Sequence, residues 1–294
     1  MISSELARKI RTFRIVTTKL VTEALAGRYK SVFRGRGIEF LEVREYQPGD
    51  DLHLIDQNVS ARMGRPFIKC FREERELSIV LLADLSASGR FGSHGVTKNE
   101  TAAQVCSFLA FAGNRNHAKV GLVLFTDRVE KFIPPGRGSR HIYRLIREIL
   151  SFEPAGTGTD IARALGFTGR VLKRRAVMFL VSDFMDSGFE KPLRILARRH
   201  DLIAVSISDP LESSLPDVGL LELEDAETGE SMLVDTGSPA ARSRFEKFCR
   251  RRRQELKDTF TSAGIHEIRL TTDGPFLGEL LKFFKLRQKQ GTKN

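Results

Sequence analysis

The chain has no tryptophan and three tyrosines, although phenylalanine occurs 21 times. Platforms for single-stranded nucleic acid are built largely from stacked aromatic rings, so this sequence offers little for one. Cysteine is scarce too. Cys70, Cys106 and Cys249 are odd in number and far apart, which gives neither a disulfide framework nor the spacing of a zinc site. Buried thiols are expected. No apolar run approaches the roughly 20 residues of a membrane-spanning helix. The opening stretch carries Glu5, Arg8, Lys9, Arg11, Arg14 and Lys19, charges that interrupt any secretory signal core, so a cytoplasmic location is expected. Gly-x-Gly-x-x-Gly, a Gly-Lys-Ser/Thr loop, Gly-x-Ser-x-Gly, Asp-x-Asp and paired histidine ligands are also missing. Phosphate-loop nucleotide binding, a serine hydrolase elbow and zinc hydrolysis therefore lack their residues, and no enzyme activity is expected.

What is present describes a globular protein: 294 residues, 41% hydrophobic and 29% charged. That length suits one large domain, or a domain plus a module. A net charge of +11 invites a nucleic-acid or anionic-membrane reading. The densest basic runs are Lys173-Arg174-Arg175, Arg198-Arg199 and Arg250 to Arg253. They read as solvated faces at or near helix ends, where cations complement the dipole. A general attraction for acidic partners remains.

Leu6, Ile10, Phe13, Leu20 and Ala24 recur at helical spacing, predicting an amphipathic helix over 4–26 and an N-terminal segment at 1–27. Residues 28–75 read as a small β-rich module. It has a strand over Ile38–Tyr46, a Pro48-Gly49 turn with Asp50 at a helix-cap position, a short helix over Asp51–Met63 and a strand over Pro66–Phe71. Arg44, Glu45 and Arg62 are expected either in a polar network that packs this module on the sheet or in a binding role. From 76 to 294 strands and helices alternate. Runs such as Ile79-Val80-Leu81-Leu82 and Val177-Met178-Phe179-Leu180-Val181 suit the centre of a parallel sheet. The fold class expected is α/β, a doubly wound and mostly parallel sheet with a helical C-terminal extension. Leu220–Leu223 and Met232–Val234 flank the acidic stretch Glu224 to Glu230 and predict an edge hairpin.

Three junctions carry chemistry. Asp84-Leu85-Ser86-Ala87-Ser88 follows the apolar run 77–83 directly. Asp84, Ser86 and Ser88 can converge only if the chain bends there. Oxygen ligands of low net charge suit a hard divalent cation such as Mg²⁺. The second junction is Gly156-Thr157-Gly158-Thr159-Asp160. Its glycines permit close backbone approach, and Thr159 offers either a ligand hydroxyl or a helix cap. The third is Val181-Ser182-Asp183, where Asp183 is either a ligand or a cap at another strand end.

This ordered set resembles the metal-ion-dependent adhesion site of von Willebrand factor A domains, over about residues 77–210. The resemblance implies a Rossmann-type α/β fold and a metal site of Asp84, Ser86, Ser88, Thr159 and Asp183. These would hold Mg²⁺ (or Mn²⁺), Ser86, Ser88 and Thr159 or Asp183 directly and Asp84 partly through water, with one position open to a partner's carboxylate. Upstream, Gly37-Ile38-Glu39-Phe40, Val43-Arg44-Glu45-Tyr46-Gln47-Pro48-Gly49-Asp50-Asp51, Ile55-Asp56 and Ser60-Ala61-Arg62 resemble the bacterial family called domain of unknown function 58. Its members commonly accompany MoxR-type AAA+ ATPases. The resemblance therefore implies a Mg²⁺-dependent protein-interaction module, an adaptor or co-chaperone for such an ATPase or its client.

Overall fold

The computed structural model describes residues 37–75 and 77–291. The amphipathic helix expected at 1–27 lies outside the described residues. The described residues fall into two compact units, one within Phe33–Leu77 and one beginning at Ser78.

In the smaller unit, β1 (Gly37–Glu45) pairs antiparallel with β2 (Phe67–Arg75). A 3-10 turn at Leu52–Leu54 and the helix α1 (Gln57–Met63) connect them. Asp51 caps the turn, accepting from the His53 amide at 2.9 Å. Asp56 caps α1 through the Asn58 and Val59 amides. Asp50, expected at a cap, does something else. It accepts two hydrogen bonds from the Arg44 guanidinium, at 2.7 and 2.9 Å, and one from the Gln47 amide. A bidentate guanidinium–carboxylate pair outcompetes a cap there, and it holds the Asp50 carboxyl below its ordinary range.

The larger unit is built on six strands: β3 (Ser78–Asp84), β4 (Lys119–Phe125), β5 (Val129–Gly136), β6 (Val177–Ser182), β7 (Asp201–Ser208) and β10 (His266–Thr271). They lie in the order β10-β7-β6-β3-β4-β5, all parallel except β5. The helices are α2 (Lys98–Arg115), α3 (Ser139–Ser151), α4 (Ile161–Val171), α5 (Glu190–Arg199), α6 (Pro239–Ser262) and α7 (Phe276–Gly291). Alternation along the strands sends Val80, Leu82, Met178, Leu180 and Ala204 into one core layer with Ile161, Leu165, Leu193 and Leu196 of α4 and α5 and Phe260 of α6. Ile79, Leu81, Phe179, Val181 and Val205 point the other way and are equally buried, on the side of α2. Both faces are covered, so the strands can be apolar throughout, as the fold class predicts.

The chain leaves β3 for β4 on one side and returns to β6 on the other. That reversal makes the carboxyl ends of β3 and β6 the topological switch point, where open α/β sheets form their crevices.

Three features differ from those expected. β5 is not among the expected strands, because Pro134 and Pro135 interrupt the strand pattern. An edge strand tolerates them, since it has amides that need no ladder partner. The hairpin of β8 (Leu220–Glu224) and β9 (Ser231–Asp235) is a separate two-stranded sheet, not an edge of the main one. Arg250 to Arg253 lie midway along α6, away from its end. As for the thiols, Cys106 is buried and burial pushes it up to about 12. Cys249 is half-buried and donates to the Glu212 carbonyl at 3.2 Å, while the side chain of Cys70 lies outside the described residues.

Candidate functional site at the switch point

Asp84 is the last residue of β3 and is buried. The chain bends at Ser86 into a 3-10 turn over Ala87–Arg90, which is the loop that convergence of 84, 86 and 88 requires. Asp84 Oδ1 accepts from the Ser86 amide at 2.9 Å, and Oδ2 accepts from the Ser182 hydroxyl at 2.6 Å. The hydroxyl oxygens of Ser86 and Ser88 stand 3.1 Å apart. Burial, and then the negative charge of Asp183, push the Asp84 carboxyl up to about 6, against the hydrogen bonds from Ser182 and Ser86.

The glycine loop reaches this turn through the Ala87 amide, which donates to the Thr157 carbonyl at 2.8 Å. On its other side the loop packs against the end of β4, and Gly156 is required there. A Cβ there would lie 2.0 Å from Asp127 Oδ1 and 2.4 Å from Thr126 Oγ1. The helix cap of α4 is Asp160, which accepts from the Arg163 amide at 2.7 Å. Thr159 is thus released from the capping role considered for it, and its hydroxyl donates to Glu227 Oε1 at 2.6 Å.

Asp183 sits just beyond β6. Its Oδ1 accepts from the Met185 amide at 3.0 Å, across a turn in which Phe184 takes a left-handed φ of 55°. Its Oδ2 accepts from Lys98 Nζ at 2.6 Å. The same ammonium donates to Glu212. Lys98 is 3% exposed. Burial works against its charge, but Asp183 and Glu212 more than offset that and hold its pKa above the ordinary lysine value. A cavity of about 10 Å³, room for one water, lies among Asp84, Ser86, Gly89, Lys98, Asn99 and Asp183.

The structure therefore groups Asp84, Ser86, Ser88 and Asp183 at one sheet end and ties the loop of Thr159 to them. Two of the expected ligands already have partners: Lys98 on Asp183 and Glu227 on Thr159. Sequence reasoning overlooked Lys98, Ser182, Glu212 and Glu227 in this role. Lys98 left one signal. It is the first helical residue, inside the capping box of Thr97 and Glu100, at the positive end of the dipole, where a lysine is unfavourable unless something else holds it.

The donor chemistry fits a hard cation. Adjacent oxygens on a six-coordinate Mg²⁺ are about 2.9 Å apart, from bond lengths of roughly 2.0–2.1 Å, close to the 3.1 Å between the Ser86 and Ser88 hydroxyls. Four carboxylates (Asp84, Asp183, Glu212, Glu227) against one ammonium (Lys98) leave the surroundings of the expected ligands negative, which favours a cation. Among the described residues no group of three or more His, Cys, Asp or Glu could hold a metal ion. A cation here must draw on hydroxyls.

The family model described as "Protein of unknown function DUF58" matches residues 42–255. An uncharacterized protein of Mycobacterium tuberculosis is 30% identical over 290 residues, covering 97% of this chain and 90% of that one. A second mycobacterial relative, from Mycobacterium avium, is 31% identical over 159 residues, covering 53% of this chain and 94% of its own. Among solved structures, the conserved hypothetical protein BatB from Bacteroides thetaiotaomicron is similar with a TM-score of 0.45 at 14% identity, over 74% of this chain and 100% of that one. The VWA domain of SpRpn10 is similar with a TM-score of 0.37 at 12% identity, over 71% and 94%. Among the described residues no helix is long and apolar enough to cross a membrane.

Proposed function

Because the chain belongs to the family of proteins of unknown function DUF58, we propose that it is a non-enzymatic protein-interaction module that engages an acidic partner through a divalent cation. The cation is Mg²⁺ or Mn²⁺, and Asp84, Ser86, Ser88, Thr159 and Asp183 hold it, with Asp84 oriented by Ser182. When bound, it supplies an electrophilic position for a carboxylate oxygen of the partner. One observation carries the reading: the Ser86–Ser88 hydroxyl pair, spaced like adjacent ligands of a hard ion, beside a buried carboxylate at the switch point. A MoxR-type AAA+ ATPase, or its client, is the proposed partner on the family resemblance alone.

A hydrolase reading has one arrangement to consider. Ser93 Oγ stands 2.8 Å from His94 Nδ1 and donates to Asp209 at 2.6 Å. The carboxylate holds the serine rather than the imidazole, which is the reverse of what activates a nucleophile. Nothing there favours hydrolysis.

The test is Mn²⁺ titration of the full chain by electron paramagnetic resonance, followed by capture of a purified MoxR-type ATPase in millimolar Mg²⁺ or in EDTA. Ser88→Ala is expected to weaken Mn²⁺ binding at least about tenfold without changing the melting curve, because Ser88 is only half-buried and the Asp84–Ser182 bond remains. Capture is expected only with Mg²⁺ and the intact serine. Equal Mn²⁺ affinity in wild type and variant would sink the cation site. Capture that ignores EDTA would sink the metal-bridged partner.

A further inference from the structure

The acidic hairpin is the part of the larger unit that the proposed function does not use. Its strands add no fully buried residue to the core: Leu220, Leu233 and Met232 are 69%, 66% and 62% exposed, and Leu221, Leu223 and Val234 on the other face are half-buried. A two-stranded hairpin is marginally stable alone, and β8 and β9 form an arm that is a sheet of its own, outside the six-stranded one. Its tip, by contrast, is built. Asp225 accepts from the Glu227 amide at 2.8 Å and the Thr228 amide at 3.0 Å, and Gly229 closes the turn with a left-handed φ of 73°. The turn aims Glu227 back at the glycine loop. Its Oε1 accepts the Thr159 hydroxyl at 2.6 Å, and a Cβ on Gly158 would lie 3.6 Å from its Oε2.

We propose that Glu227 is the chain's own acidic ligand: the β8–β9 arm lays a carboxylate beside Thr159 at the position an acidic partner would take, and a partner must displace the arm to bind. This rests on the cation site proposed above. A threonine hydroxyl that ligates a cation through its oxygen still has its proton to donate, and here that proton goes to a carboxylate. The 2.6 Å separation is close to the roughly 2.9 Å between adjacent ligands of a six-coordinate Mg²⁺, so a small shift of the Glu227 side chain places it on the same ion. The arm then holds the site closed until a competing carboxylate arrives, without any rearrangement of the core sheet.

The experiment uses the full chain with Mn²⁺ alone as probe, comparing wild type, Glu227→Gln and Ser88→Ala. Paramagnetic resonance reads affinity, and hydrogen exchange reads the backbone of 220–235 with and without Mn²⁺. Glu227→Gln is expected to weaken Mn²⁺ binding by about threefold to tenfold, since one charged ligand of several is lost. Mn²⁺ is expected to slow exchange at 225–230 in the wild type and leave it unchanged in Glu227→Gln. If Glu227→Gln binds Mn²⁺ as tightly as wild type and the arm's exchange ignores the ion, the internal ligand is overturned while the cation site stands. If neither wild type nor Ser88→Ala binds Mn²⁺, the site and the internal ligand fall together.

Discussion

Replacing Lys98 with methionine is expected to lower the stability of the α/β unit by about 3–5 kcal/mol, the range for removing one member of a buried ion pair. The ammonium and the Asp183 carboxylate are 4% and 5% exposed as side chains, and Glu212 is 21% exposed. Methionine fills the same volume but leaves Asp183 charged, buried and short of a donor. In a unit of about this size the loss corresponds to a fall in melting midpoint of roughly 6–20 °C, read by circular dichroism at neutral pH. Because the folded state holds Lys98 above its ordinary pKa, its contribution is complete below the unfolded lysine value and is lost as pH rises through the folded one. The gap between wild type and variant should therefore stay constant from pH 6 to 9. Magnesium should raise the midpoint more in Lys98→Met than in wild type, since a divalent ion then supplies the missing positive charge. A midpoint within about 2 °C of wild type would mean that Asp183 and Glu212 do not depend on this lysine, and the charge count at the switch point would have to be redrawn.

Lys98 also shows where the reading of the sequence stopped. The central strands were legible because both faces of a parallel sheet are buried, and Ile79–Leu82 and Val177–Val181 leave no polar position to disguise it. Asp84 and Asp183 were legible for the same reason, each being a carboxylate that abruptly ends such a run. Their partners were not. Glu212 meets Lys98 across 114 residues, and Glu227 meets Thr159 across 68. Pairings of that separation are set by topology, which brings β3, β6 and β7 to one end, and not by any local spacing. β5 was hidden by a different cause. Two prolines argue against a strand on local grounds, and only its place at the sheet edge makes them tolerable. Asp50 was misplaced because a cap and a guanidinium partner want the same short acidic side chain in the same turn, and the sequence does not say that Arg44 is within reach.

The second large effect is expected at Asp209, which is 1% exposed and joins three elements. Its Oδ2 accepts from the Ser93 amide at 2.8 Å and the Thr272 hydroxyl at 2.6 Å; its Oδ1 accepts from the Ser93 hydroxyl at 2.6 Å and the Leu211 amide at 3.0 Å. Burial alone would raise this carboxyl, but the bonds from Ser93, Thr272 and Leu211 prevail and bring it down to about 2. A lowered folded pKa means stability that is present above the unfolded value near 3.8 and is lost as pH falls through about 2. The difference between those values corresponds to about 2 kcal/mol. Asparagine at 209 presents an amide donor to groups that are themselves donors, so Asp209→Asn should cost at least about 2 kcal/mol at neutral pH, measured from urea midpoints. The gap between wild type and variant should shrink as pH drops from about 4 towards 2. A gap that stays constant down to pH 2.5 would show that the cost comes from packing and not from the charged carboxylate. The residue matters beyond its own bonds. Its amide donates to Glu212 Oε2 at 2.9 Å, so the same short turn that Asp209 caps presents Glu212 to Lys98, and Lys98 to Asp183. Loosening Asp209 should therefore weaken Mn²⁺ binding as well as stability, through a chain of contacts in which Asp209 itself touches no proposed ligand of the cation.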